Sequence, residues 1–144
     1  SIAKGIGNGF PVAGILIAPD IEARYGMLGT TFGGNHLACA ACLAVIDVMQ
    51  DEHLMDNAAR IGAYAARRFA ELPHVVAVKG RGLMLGVEFD RPIAELRKHL
   101  VLKKHIFTGS ASNPAMIRFL PPLTIGQEQV DELCTAVEAL TEKW

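Results

Sequence analysis

The chain has 144 residues, carries 14 Lys or Arg against 15 Asp or Glu, and is 51% apolar. This length suits one domain with a real core, and the near balance of charge gives no electrostatic case for binding nucleic acid or a membrane surface. Gly, Pro or charged residues interrupt the longest apolar runs well before about 18 residues, so no transmembrane helix is predicted.

The chain opens on a glycine-rich segment. Residues 5–14 contain four glycines and a proline, which predicts a constrained loop. A short apolar strand is predicted at 15–18 and one helical turn at 21–25. Because Ser1 leads straight into this loop without an initiator Met, we interpret the chain as a piece of a longer polypeptide. No signal peptide is predicted from its first residues.

Two helices are predicted next. A Gly/Thr loop at 29–35 leads into a helix at 36–52, whose Ala-rich and otherwise apolar residues recur at helical spacing. We expect this helix to be well buried. A second helix is predicted at 54–71, with Pro73 as its stop signal.

The second half of the chain alternates strands with helices. Strands are predicted at 75–79, 83–89 and 116–120, a turn at 80–82, a short extended segment at 106–108, and helices at 92–104 and 127–143. A domain boundary near Pro73 would separate residues 1–73 from a small α+β domain of residues 74–144. That domain is predicted to be an antiparallel sheet with helices packed on one face.

The cysteines and histidines give no metal-binding pattern. Cys39 and Cys42 form a C-x-x-C, but it lies in a helical stretch without a second pair. With Cys134 they are interpreted as small core residues in a reduced, cytoplasmic protein, a redox or metal role being the alternative. No metal site is predicted from the five scattered histidines, which are His36, His53, His74, His99 and His105.

Lys4 lies between an apolar segment and a glycine cluster. A lysine amine can form an imine when partial burial or nearby positive charge lowers its pKa, and neighbouring glycines let a planar ligand approach the backbone. An ordinary surface lysine is the alternative. The Gly5-x-Gly7-x-Gly9 spacing does not match the dinucleotide-binding motif. That motif requires a glycine where this chain has Phe10, and a helix where this chain continues with Pro11.

Two further places could carry chemistry. Thr30 and Thr31 precede a predicted helix N-terminus, where hydroxyls and free N–H groups can bind a phosphate. The alternative is that one threonine merely caps the helix. Arg118 lies in the middle of an apolar strand, so its guanidinium must either form a structural ion pair or face a cleft, where it could bind a carboxylate with two hydrogen bonds.

Taken together, four segments resemble the ornithine and acetylornithine branch of the class III aminotransferases, of fold type I. They occur in the family's order and are residues 3–11, 29–40, 81–86 and 117–123. The resemblance covers essentially the whole chain and implies an α/β fold. Residues 1–73 would be the end of the large cofactor-binding domain, and residues 74–144 the small C-terminal α+β domain.

The resemblance also assigns roles to residues. It implies that Lys4 binds pyridoxal 5'-phosphate (PLP) covalently and that Thr31, with Thr30 beside it, binds the cofactor phosphate of a neighbouring subunit in a homodimer. Arg118 falls on an active-site arginine that approaches the substrate or pairs with an internal glutamate. The family's aspartate for the pyridine nitrogen, its ring-stacking aromatic and its phosphate loop precede these segments, so this chain alone is expected to be inactive.

The implied reaction moves the δ-amino group of N-acetylornithine or N-succinylornithine to 2-oxoglutarate in two half-reactions, as in arginine biosynthesis. Asn8 stands where many members have Gly, and His36 where many have Pro. With the segment 105–109, these departures resemble a bacterial subgroup that uses N-succinylornithine, so the acyl group is left open. The alternatives are an ornithine or 4-aminobutyrate aminotransferase and a non-catalytic protein of the same fold.

Overall fold

The chain forms two compact units, Ser1–Glu52 and His53–Trp144, in a computed structural model that describes residues 1–22, 24–142 and 144. The first unit contains a 3₁₀ turn, Lys4–Gly7, and one helix, α1, His36–Asp51. Asn35 begins α1, because its side-chain oxygen accepts a hydrogen bond from the Ala38 N–H at 2.9 Å. The helix predicted at 36–52 is therefore confirmed, one residue shorter.

Two predictions for the first unit are wrong. Residues 15–18 form no strand, and the side chain of Leu16 is 84% exposed. A lone strand leaves its backbone groups without partners, and among the described residues the pairing near this segment is limited to an isolated bridge between Gly14 and Ile2. The described residues of the helical turn predicted at 21–25 are not helical, and Ala23 lies outside the described part of the chain.

Helix α1 is not well buried, contrary to the prediction. Ala38 is its one fully buried residue, while Leu37 and Leu43 are 65% and 60% exposed. Within the first unit, α1 packs against the Lys4–Gly7 turn and no second layer of helix or sheet among the described residues covers it. The apolar spacing predicted the right helix but could not say what covers its face.

The second unit is a four-stranded antiparallel sheet with three helices. The sheet order is β1-β2-β4-β3, so the short β3 forms an edge. The elements are α2, Leu54–Ala70; β1, Val75–Arg81; β2, Met84–Phe89; α3, Ala94–Lys104; β3, Gly109–Ser110; β4, Met116–Phe119; and α4, Gln127–Thr141. The small α+β unit with an antiparallel sheet is confirmed.

The element bounds differ from the sequence prediction in detail. Strand β3 follows the segment 106–108 that was expected to be merely extended, and β1 continues into the turn predicted at 80–82. Helix α4 ends at Thr141, and Lys143, the predicted end of that helix, lies outside the described residues.

The core of the second unit lies between one sheet face and the helices. Helix α2 packs on β1 and β2, and α4 packs against α2 and α3. Alternate residues of β2 and β4 point inward, and Phe69 of α2 meets Phe119 of β4 edge-on with ring centroids 5.0 Å apart. Burial of each large apolar side chain contributes about 1.5–3 kcal/mol, so this unit has a substantial core of its own.

Helix α2 belongs to the second unit because of this packing. The compact units divide between Glu52 and His53, upstream of the domain boundary that the sequence predicts near Pro73. The division into residues 1–73 and 74–144 therefore stays a prediction about the domains of a longer protein. In this chain, the helix before Pro73 completes the core of the sheet that follows it.

Polar contacts fasten α2 to later parts of the unit. The Asn57 amide donates to the carbonyls of Leu123 and Ile125 at 2.7 and 3.0 Å. The Tyr64 hydroxyl and the Arg68 guanidinium both donate to Asp131 of α4, at 2.7 and 3.0 Å, and these bonds lower the pKa of that carboxyl. Such bonds fix the segment after β4 relative to the helices.

The cysteines differ in their surroundings. Cys134 is buried as expected, and burial raises the pKa of its thiol to about 11, whereas Cys39 is exposed and Cys42 half-buried.

The described residues contain no group of three potential metal-binding side chains. None of their helices has the length and apolar composition needed to cross a membrane.

Gly62 permits the close approach of α2 to the β1–β2 turn. A β-carbon there would overlap the carbonyl of Gly82 and lie 2.6 Å from its Cα. An exposed Gly→Ala change stabilises a helix interior by about 0.5–1 kcal/mol, whereas overpacking a core costs about 1–3 kcal/mol. We expect Gly62→Ala to lower the free energy of unfolding measured in urea, with exposed Ala63→Gly as the helix-propensity control. A stabilised Gly62→Ala would contradict this.

Candidate active site

The Lys4 turn has an unusual backbone. Ala3 is extended, and Lys4 then adopts a left-handed conformation with φ of 59°, as does Asn8 with φ of 45°. A non-glycine residue in this region typically costs about 1–3 kcal/mol and tends to occur where the surrounding structure holds a functional group. Lys4 thus has a backbone that its own residue type does not favour.

Two hydrogen bonds close the loop that carries Lys4. Ile2 and Gly14 exchange N–H to carbonyl bonds, both of 2.8 Å. Inside the loop, Gly7 is buried and a β-carbon there would lie 2.5 Å from Cγ1 of Val12. The missing side chain of Gly7 therefore allows a compact loop, and Lys4 is exposed rather than partly buried.

The threonine loop is similarly tight. A β-carbon on Gly33 would overlap the Thr30 methyl, and Gly34 has a φ of 68°. Because Asn35 supplies the cap of α1, neither Thr30 nor Thr31 has the capping role that was the alternative. Both threonines are exposed, just before a helix start whose orphan N–H groups suit an anion.

The lysine turn and the threonine-led helix are neighbours. The Lys4–Gly7 turn contacts α1, so the first unit brings together segments about thirty residues apart in sequence. Each group fits one part of PLP: the amine of Lys4 suits its aldehyde, and the two hydroxyls beside the helix N-terminus suit a phosphate. The residue types present in this unit therefore fit PLP.

Arg118 lies in the second unit, on β4. Its side chain is exposed, between buried Ile117 and Phe119. It lines an open cleft of about 370 Å³ formed by the segment 105–109, the end of β4, the prolines that follow it and one side of α4. No carboxylate in residues 1–22, 24–142 and 144 lies within ion-pair distance of its guanidinium, so the structural ion pair is not found there.

Sequence reasoning missed the groups next to Arg118. Gly109 pairs with Arg118 across β3 and β4, and the guanidinium of Arg97 donates to the carbonyl of Thr108 at 3.0 Å. The hydroxyl of Thr108, which also lines the cleft, is buried without a hydrogen-bond partner in the described residues. The available signal was a glycine between short extended segments, which often marks a close approach to another group.

The sequence has many relatives among known enzymes. It is 37% identical to acetylornithine aminotransferase 1 of Bordetella pertussis, over all of this chain and 38% of that protein. It is also 37% identical to acetylornithine aminotransferase of Bacillus subtilis, over 92% of this chain and 35% of that protein. The chain thus spans little more than a third of the length of these relatives.

Solved structures give the same result. A crystal structure of ornithine aminotransferase from Toxoplasma gondii ME49 superposes with a TM-score of 0.72 and 30% identity, over 85% of this chain and 31% of that one. The sequence model of the family "Aminotransferase class-III" matches residues 1–140. The chain therefore belongs to the class-III aminotransferases, a PLP-dependent family of fold type I.

Proposed function

We propose that this chain is the C-terminal part of an aminotransferase that moves the δ-amino group of N-acetylornithine, or N-succinylornithine, to 2-oxoglutarate. The observation that carries the proposal is the left-handed Lys4 in a hydrogen-bonded glycine loop that contacts α1. The names of the bacterial relatives favour an acylated ornithine as the amino donor. A cytoplasmic role in arginine biosynthesis is part of this proposal.

Lys4 is the catalytic residue of the proposal. PLP, when bound, supplies the electron sink that makes a proton on the neighbouring substrate carbon acidic. The Lys4 Nζ would hold the cofactor covalently and would act as the general base and acid that moves that proton. The closed loop fixes the backbone position from which this amine extends, because the Ile2–Gly14 hydrogen bonds hold both ends of the loop.

Thr31, with Thr30 beside it, is proposed to bind the cofactor phosphate. A hydroxyl and the N–H groups at the start of α1 are neutral donors that suit a phosphate dianion. The phosphate they bind belongs to the cofactor of a second subunit, so the enzyme is proposed to be a homodimer with shared active sites. Arg118 is proposed to bind a substrate carboxylate in the cleft of the second unit.

The chain has about a third of the length of its relatives, which supports the proposal that these residues alone do not catalyse the reaction. Assays of the complete protein with N-acetylornithine, N-succinylornithine, ornithine and 4-aminobutyrate separate the proposed donor from its alternatives. A kcat/KM highest for ornithine or 4-aminobutyrate would overturn the donor assignment. A protein that neither binds PLP nor transfers an amino group would belong to the non-catalytic alternative.

Lys4→Ala and Lys4→Arg should abolish transamination, since neither side chain can form the imine, and both should remove the absorbance band of the PLP–lysine imine. The measurements are turnover and the absorbance spectrum of the purified holoenzyme. The control is Lys103→Ala, which changes an exposed lysine at the end of α3. Turnover near the parent value in either Lys4 variant would refute the assignment.

Thr31→Ala should weaken PLP binding by about 1–3 kcal/mol, because a charged phosphate loses one hydrogen bond. Equilibrium dialysis of the cofactor gives the dissociation constant, and Thr30→Ala measures how much the neighbouring threonine contributes. Thr124→Ala removes an exposed hydroxyl elsewhere and serves as the control. An unchanged affinity in Thr31→Ala would count against the phosphate role.

Arg118→Ala should raise the KM for the acidic substrates more than it weakens cofactor binding, since the guanidinium is proposed to contact a carboxylate. A lost charge-assisted bond of this kind corresponds to about 1.5–3 kcal/mol, or roughly 10- to 150-fold. Arg118→Lys keeps the charge but not the two-bond geometry, so its KM should lie in between. The reverse pattern, with PLP affinity lost and KM unchanged, would mean that Arg118 serves the cofactor.

A further inference from the structure

Arg118 lies between two glycines in the sheet. It pairs directly with Gly86 of β2 on one side and with Gly109 of β3 on the other. Directly paired residues in an antiparallel sheet present their side chains on the same face. The paired residues that cross the three strands on this face are therefore Gly86, Arg118 and Gly109, and of these only Arg118 has a side chain.

The arginine lies against the Gly109 side of this row. A β-carbon on Gly109 would be 3.0 Å from Cβ of Arg118 and 3.2 Å from its Nε, whereas the nearest atoms to a β-carbon on Gly86 belong to Met116. The Arg118 stem thus occupies the space over Gly109 that the side chain of any other residue type at position 109 would fill. Both residues line the cleft.

The backbone around this contact has little room to move. Ile117 and Phe119, which flank Arg118, are anchored in the core at 3% and 6% exposure. On the other side, the bond from Arg97 to the carbonyl of Thr108 holds the residue before Gly109 against α3. An added methyl group on Gly109 would meet the Cβ of Arg118 at 3.0 Å and both its carbonyl oxygen and its Nε at 3.2 Å. Because the strand holds the Cβ and the carbonyl, the flexible stem at Nε is the part that moves most.

We propose that Gly109 is a positioning residue that directs the Arg118 guanidinium into the cleft for binding a dicarboxylate substrate. This inference rests on the proposed role of Arg118. A free arginine side chain loses about 2 kcal/mol of rotamer entropy on being fixed, and a stem that already lies in one place loses less on binding. Gly109 permits that placement because its backbone lies outside the left-handed region and only its missing side chain matters.

A double-mutant cycle on the complete holoenzyme tests this. Glutarate, a dicarboxylate that cannot accept an amino group, is the binding probe, and calorimetry gives its dissociation constant. We expect Gly109→Ala to weaken glutarate binding by about 3- to 30-fold, and to raise the Michaelis constant for the oxo-acid acceptor with little change in kcat. In the Arg118→Ala background, Gly109→Ala should have no further effect.

Ser110→Ala is the matched control, because Ser110 follows Gly109 on β3 and lies opposite Ile117 rather than Arg118. Its glutarate affinity should equal that of the parent protein. Equal weakening by Gly109→Ala in both Arg118 backgrounds, or no weakening with Arg118 intact, would overturn the positioning role. If Arg118→Ala itself leaves glutarate binding unchanged, the proposed function of Arg118 fails instead.

Poor folding of Gly109→Ala would still give a result. The added methyl group meets both the Cβ and the Nε of Arg118, so combining Gly109→Ala with Arg118→Gly, which lacks both atoms, should give the yield of folded holoenzyme seen with Arg118→Gly alone. A double variant that folds as poorly as Gly109→Ala would overturn the proposal, since the methyl group would then collide with the strands themselves.

Discussion

The alternation of side chains along β4 is the constraint on which the second unit depends. Ile117 and Phe119 enter the core, where Phe119 meets Phe69 of α2, and a period of two then leaves Arg118 on the opposite face. A shift of register by one residue would bury the guanidinium and expose both apolar side chains, which would be costly. The core therefore fixes which way the arginine points, so the side chain with the proposed role is held by residues whose own side chains are buried in the core.

The first unit holds its lysine by different means. It has no sheet and almost no core in its described residues. The backbone at Lys4 is held by the Ile2–Gly14 hydrogen bonds and by Gly7, whose missing side chain allows a compact loop. Local hydrogen bonds of this kind contribute only about 0.5–1.5 kcal/mol each. The left-handed backbone at Lys4 works against them by a similar amount, so further contacts are needed to maintain it.

The sequence predicted best where packing is local to the chain. The strands of the small sheet and the helices α1 and α4 all follow from the periodicity of apolar residues. The sequence-based prediction was wrong at residues 15–18. The apolar run there predicted a strand, but the described residues provide no neighbouring strand to pair with it. The prediction also missed Gly109, because only the three-dimensional pairing shows that a side chain crosses above it.

Helix α1 was expected to be buried and is not, for a related reason. Its apolar residues, like those at 15–17, are typical of surfaces that another part of a larger protein covers. The relatives are about two and a half times as long as this chain. Apolar surface of this extent is destabilising in water, whereas the second unit buries its own. The lysine loop thus lies in the half of the chain that depends most on contacts from outside it, and the arginine cleft in the half that depends least.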